Sequence, residues 1–63
     1  MAERLLTTQE VADYLGVPLA SLYAWNMRGT GPRYVKVGRY ARYRPIDVET
    51  WLSRQYANPQ GAA

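Results

Sequence analysis

The chain has 63 residues and a net charge of +3 at pH 7, and it contains neither cysteine nor histidine. This length fits one small domain, which buries about 60% of its unfolded surface and has only modest stability. Because disulfides, the commonest metal ligands and the commonest general base are missing, we expect no metal, no cofactor and no enzymatic activity. No apolar run approaches the roughly 20 residues of a membrane span, and no signal-peptide pattern is present. We therefore expect a soluble intracellular protein without a membrane partner.

The first predicted element is a short helix near the N-terminus. Thr7, followed three residues later by Glu10, is a capping-box signature and places a helix start directly after Thr7. Apolar residues at helical spacing continue to Leu15, and Gly16 suits the left-handed residue that ends many helices. The sequence therefore predicts a helix over Thr8–Leu15.

A second short helix follows after a tight connection. Pro18 fits the first turn of a helix, because its missing N–H is not needed there. Leu22 and Trp25 are three residues apart and form the face expected to contact the first helix. Gly29 suits the helix end, so we predict a helix over residues 19–27. Two short helices joined by a glycine-containing turn are typical of a helix-turn-helix.

The charge of the chain is concentrated in one segment. Residues 28–44 carry six cations and no acid, a local charge of +6, whereas the remainder sums to −3. This concentration indicates a polyanion that is bound on one side of the protein. Alternating residues predict strands at 33–37 and 40–44, joined by a turn at Gly38. An isolated hairpin is unstable in water, so we expect it to pack on the helices. Three side chains are candidates for that contact: Val35, Val37 and Tyr43.

The last predicted helix begins at Pro45 and ends at Asn58-Pro59. Acidic residues Asp47 and Glu49 favour its first turn through the helix dipole. Its expected buried stripe consists of Val48, Trp51, Leu52 and Tyr56. Both tryptophans of the chain lie at apolar-face positions, so we assign them to the core rather than to stacking on single-stranded bases.

The predicted order is therefore helix, helix, hairpin, helix: a small α+β fold of the winged helix-turn-helix type. It spans residues 5–57 as one domain, with flexible ends at residues 1–4 and 58–63. The segments that carry a family resemblance are Leu5-Leu6-Thr7, Glu10-Val11-Ala12, Leu15-Gly16-Val17, Leu22-Tyr23-Ala24-Trp25, Gly31-Pro32, Val37-Gly38-Arg39, Tyr43-Arg44 and Asp47-Val48-Glu49-Thr50-Trp51-Leu52. In the identity and spacing of these segments, the chain resembles the small excisionase-type and AlpA-like DNA-binding domains, which are related to the DNA-reading half of MerR-like regulators.

The resemblance implies that the second helix enters the major groove and that the hairpin, or wing (residues 33–44), enters the adjacent minor groove. The helix residues expected at the DNA are Ser21, Tyr23, Ala24, Met27 and Arg28, with Asn26 also exposed. The wing residues expected at the minor groove and phosphates are Arg33, Lys36, Arg39, Tyr40, Arg42 and Arg44. The alternative for the wing cations is a solvated turn that protects a strand edge from aggregation.

The resemblance also implies a biological role. It is that of a phage excisionase, which binds repeated sites beside an attachment region, distorts the duplex and directs an integrase toward excision in the bacterial cytoplasm. One alternative is a small AlpA-like transcription regulator; another is a protein-interaction module whose basic hairpin binds an acidic partner. The length leaves no room for a long dimerisation helix, so we expect a monomer or weak, DNA-dependent self-association on tandem sites.

Overall fold

The wing and the helices form one small α+β unit in a computed structural model, which describes residues 4–56. The elements are β1 Leu6–Thr7, α1 Thr8–Leu15, α2 Leu19–Arg28, β2 Val35–Val37, β3 Tyr40–Tyr43 and α3 Pro45–Ser53. The strands form an antiparallel sheet in the order β1-β3-β2. This architecture confirms the winged helix-turn-helix fold. Among the described residues, no helix is long and apolar enough to cross a membrane. Of the ends expected to be flexible, residues 1–3 and 58–63 lie outside the described residues, as does residue 57 of the predicted domain.

Helix α1 begins with the predicted capping box. The Thr7 hydroxyl accepts the N–H of Glu10 at 3.0 Å, and the Glu10 carboxylate accepts the N–H of Thr7 at 2.9 Å. Two backbone donors that would otherwise lack partners at the helix start are thereby satisfied. The second carboxylate oxygen of Glu10 pairs with Arg4. At the other end, Gly16 adopts the expected left-handed conformation with φ +73°.

The sheet has a third strand that the sequence did not predict. Leu6 lies opposite Tyr43 and Thr7 opposite Arg42, so the segment directly before α1 pairs with β3. Two residues are too few to show the period-two alternation by which strands are recognised. The wing is therefore anchored through β3, whereas β2 lies at the outer edge of the sheet.

The strand register corrects the expected packing of the wing. Val35 is opposite Arg42 and Val37 is opposite Tyr40, so these four side chains share one face of the sheet. Tyr43 lies on the other face and is fully buried, as expected. The two valines are 39% and 51% exposed, so the prediction that they pack on the helices is wrong. Their face of the sheet is the one opposite Tyr43.

The core joins helices to wing. Its fully buried side chains are Val11, Ala12, Leu22, Tyr43 and Val48. Tyr43 is the largest of them, and its hydroxyl accepts a hydrogen bond from Nδ2 of Asn26 at 2.8 Å. A buried hydroxyl is costly unless it has a partner, so this bond supports the position of the ring. Tyr43 thereby connects β3 to α2.

The two tryptophans contact each other beside this core. Their ring centroids are 5.2 Å apart, and Nε1 of Trp51 donates to the carbonyl of Thr30 at 2.9 Å. Trp25 packs against the core cluster, and Trp51 is half-buried. These contacts hold α3 against the loop that follows α2.

Helix α3 is shorter than predicted. The N–H of Arg54 bonds to the carbonyl of Trp51 at 3.0 Å, and that of Gln55 to Leu52 at 2.9 Å. These i to i−3 bonds tighten the chain and end the helix after Ser53, before Asn58-Pro59 is reached. The expectation that Tyr56 continues the buried stripe is consequently wrong, since its side chain is 82% exposed.

The Tyr43–Asn26 bond predicts the effect of removing one hydroxyl. Tyr43→Phe keeps the buried ring but leaves the Asn26 amide without its partner, so the free energy of unfolding should fall by about 1–2 kcal/mol. Urea denaturation followed by circular dichroism measures this. The matched control is Tyr34→Phe, a 39% exposed tyrosine for which a change within about 0.5 kcal/mol is expected. Equal effects of the two substitutions would contradict the assignment.

The capping box also predicts a pH dependence of stability. The hydrogen bond from the backbone of Thr7, followed by the bond from Arg4, lowers the pKa of Glu10 below its usual value of 4.5. A carboxylate with a lowered folded-state pKa stabilises the fold above the unfolded-state pKa, and this contribution is lost as the pH falls through the folded-state pKa. Glu10→Gln retains an oxygen for Thr7 but does not titrate. As the pH is lowered below about 4.5, the free energy of unfolding of the Glu10→Gln protein should therefore fall less steeply than that of the unaltered protein. If the two proteins lose stability equally with falling pH, Glu10 is not the source of the pH dependence.

Candidate nucleic-acid interface

A cleft of about 440 Å³ lies between the start of α1, helix α2 and the wing. Its lining residues are Thr7, Thr8 and Gln9 at the start of α1, Leu19, Tyr23 and Asn26 of α2, and Tyr34, Lys36, Arg39, Tyr40, Ala41 and Arg42 of the wing. The cleft exists because β3 is tied to α2 through Tyr43. It is therefore the place where the helix-turn-helix and the wing face a common partner.

The cleft is cationic. Lys36, Arg39 and Arg42 line it, and none of the described lining residues is acidic. Gly38 adopts φ +65° in the turn between the strands, a conformation suited to glycine, and this turn carries Arg39. A concave surface whose charged residues are all cations concentrates positive potential. The arrangement suits an anionic backbone with exposed oxygen atoms.

Arg42 is held by its own strand. Its Nη1 donates to the carbonyl of Ala41 at 2.8 Å, and its guanidinium carbon lies 5.2 Å from the ring centroid of Tyr40. Both contacts restrict the long side chain before any ligand arrives. A guanidinium carries five N–H donors, so one donor used within the protein leaves others for phosphate or base oxygens. Tyr40, which is itself exposed, therefore also helps to position the guanidinium of Arg42.

Helix α2 contributes one large exposed side chain to the cleft. Tyr23 is 55% exposed and lines it. Asn26 was expected to be exposed, but its amide group is directed to Tyr43, and its Oδ1 is buried without a hydrogen-bond partner among the described residues. The expectation is wrong because a sequence pattern cannot show a bond across 17 positions. Asn26 forms part of the cleft wall and supports β3.

The remaining candidate residues lie outside this cleft. On α2, Ser21 and Ala24 are half-buried, whereas Met27 and Arg28 are exposed near the helix end. None of these four is among the residues that line the cleft.

Two candidate cations also lie beyond the strands of the wing. Arg33 lines two smaller depressions, one beside Trp25 and one beside Trp51. Arg44 is the residue directly before α3. Neither lines the main cleft. Lys36, Arg39 and Arg42 thus border one cleft, with Lys36 and Arg42 on opposite faces of the sheet, whereas Arg33 and Arg44 lie outside it.

The start of α1 also lines the cleft, although none of its residues was among those expected at the DNA. Thr8 and Gln9 line it directly after the capping residue Thr7. The N-terminus of a helix carries partial positive charge and suits an anion. The capping box located this helix start correctly, but only the pairing of β1 with β3 places it beside Arg42.

Comparison with known proteins agrees with this geometry. No curated protein matches the chain at a significant level. The family described as a helix-turn-helix domain matches residues 5–56, which is most of the sequence. The chain therefore belongs to this helix-turn-helix family, which contains small DNA-binding proteins of the AlpA and excisionase kinds, and it binds DNA.

Proposed function

We propose that the protein is a non-enzymatic accessory factor of site-specific recombination in the bacterial cytoplasm. It binds duplex DNA at tandem sites, bends the duplex and directs an integrase toward excision. The observation that carries the DNA-binding mode is the cleft, in which the exposed Tyr23 of α2 and three wing cations line one acid-free surface. The recombination role rests on the resemblance of the sequence to excisionase-type domains.

The geometry supports a two-groove mode of binding. With α2 in the major groove, the adjoining wing reaches the neighbouring phosphates and minor groove. Narrow minor grooves of A/T-rich stretches concentrate negative potential and attract arginine. Arg39 at the turn and the restrained Arg42 are the side chains we assign to that groove. Lys36 is assigned to a phosphate, which fixes register rather than sequence.

The start of α1 adds a phosphate contact to this mode. Thr8 and Gln9 lie in the same cleft as the wing cations. A phosphate in the cleft would meet the positive end of the helix dipole from one side and the cations from the other. This contact holds the domain on the backbone without reading bases.

Cooperative binding follows from the small size of the reading surface. A single module of this size buries little DNA surface and distinguishes few base pairs, so one copy alone binds weakly. Copies on adjacent sites gain affinity from each other. A small AlpA-like transcription regulator is the alternative, since the matching family contains both kinds of protein.

The wing assignment predicts a change in salt dependence. Replacing Arg39 and Arg42 together by alanine removes up to two charge contacts, so the slope of log affinity against log salt should flatten by about one to two units. Fluorescence anisotropy with duplexes of several sequences measures the slope, and the loss should be similar across them. Arg54→Ala is the matched control, because Arg54 follows α3 and does not line the cleft. A slope unchanged by the double substitution would exclude both arginines as contacts.

The recombination role predicts stimulation of an integrase. Footprinting on DNA beside the gene identifies the sites, and an excision assay with the neighbouring integrase should require the protein. Binding to two adjacent sites should be tighter than binding to either site alone. Site binding without any effect on excision, together with repression or activation of a nearby promoter, would favour the AlpA-like alternative. Equal affinity for heparin and duplex DNA would instead favour a general polyanion-binding module.

A further inference from the structure

A second depression, the α1–α3 groove, lies apart from the DNA cleft. It has a volume of about 250 Å³ and is lined by Leu6, Glu10, Tyr14, Pro45, Val48 and Glu49. The lining combines apolar side chains with two acids. None of the six residues lines the DNA cleft. The groove and the cleft can therefore be occupied at the same time.

The groove is flanked by exposed apolar surface. Tyr14 and Ile46 are each 57% exposed. Ile46 stands three residues before Glu49 on α3, so the two are neighbours on the helix surface. Exposed apolar side chains that lie together beside a depression mark sites of protein interaction more often than single scattered ones.

The groove retains negative charge. Glu10 is neutralised by its pair with Arg4. Glu49, in contrast, accepts a hydrogen bond from the neutral hydroxyl of Tyr14 and has no ion pair among residues 4–56. This bond and the charge of Glu49 raise the pKa of the Tyr14 phenol above its usual value. The described acids all lie on α1 and α3, and none lies on α2 or the wing.

We propose that the α1–α3 groove binds a basic segment of a second protein on the same DNA, with an aliphatic side chain in the groove and a lysine or arginine at Glu49. Charge complementarity favours this partner, because the Glu49 carboxylate, which has no ion pair among residues 4–56, repels phosphate and attracts the cationic surfaces typical of DNA-binding proteins. The inference rests on the proposed function only for the position of the partner on the duplex. It assigns the cleft to DNA and the groove to protein.

The test uses the full chain labelled with ¹⁵N and a short synthetic peptide of alternating lysine and leucine. Amide resonances around Leu6, Tyr14 and Val48 should shift on titration, whether or not duplex DNA is bound. Glu49→Lys should weaken peptide binding about tenfold or more, since it places a like charge at the site. Asp13→Lys is the matched control: it makes the same charge change on an exposed position of α1 outside the groove, and its effect should remain about twofold or less.

Glu49→Gln is a second variant, which retains an oxygen that can accept the hydrogen bond from Tyr14. It should weaken peptide binding without disturbing the fold. Duplex binding, measured separately by anisotropy, should be the same in the Glu49→Lys and Asp13→Lys proteins. Shifts confined to the wing, equal losses in these two variants, or equal binding of a glutamate–leucine peptide would overturn the inference. If the unaltered protein does not bind duplex DNA, the proposed function is wrong. A failure of the groove assignment and a failure of the proposed function are therefore distinguishable.

Discussion

The position of the wing depends on one buried side chain. Tyr43 ends β3, pairs in register with Leu6 of β1, and accepts a hydrogen bond from Asn26 of α2. It therefore joins the sheet to α2 in a core that has five fully buried apolar residues within the described range 4–56. An isolated hairpin of this length would not persist in water. Because Tyr43 fixes the hairpin beside α2, the turn carrying Arg39 and the exposed face of α2 border the same cleft.

The sequence allowed accurate prediction of the capped start of α1 and of the helix ends at glycine, which depend on contacts between residues close in sequence. The capping box at Thr7 and Glu10 and the left-handed Gly16 fix α1 by contacts within a few residues. Gly29 ends α2 in the same conformation, as predicted, and the helix reaches Arg28 instead of residue 27. These elements sufficed to identify a winged helix-turn-helix. The cationic character of the wing was likewise predictable from composition, because residues 33–44 carry five cations and no acid.

Features that depend on pairing between distant segments could not be predicted from the sequence. Alternation shows that Val35 and Val37 share a face, but only the register with β3 shows that this face lies opposite Tyr43. The two-residue β1 has no signature of its own. Asn26 looked exposed on a helical pattern, whereas its amide is used by Tyr43. For the same reason, only the fold shows that Lys36, Arg39 and Arg42 line one cleft with Tyr23.

The fully buried core residues are separate from the residues that line the cleft, although Thr7 and Asn26 belong to the lining and also support the fold. None of the five fully buried side chains appears in the cleft lining. In a domain of such modest stability, a substitution that altered both folding and recognition would seldom survive selection. The exposed lining residues, Tyr23 and the wing cations, can therefore change, and with them the preferred DNA site, at little risk to the core. Related proteins can therefore diverge in the DNA sites that they bind while they retain the same fold.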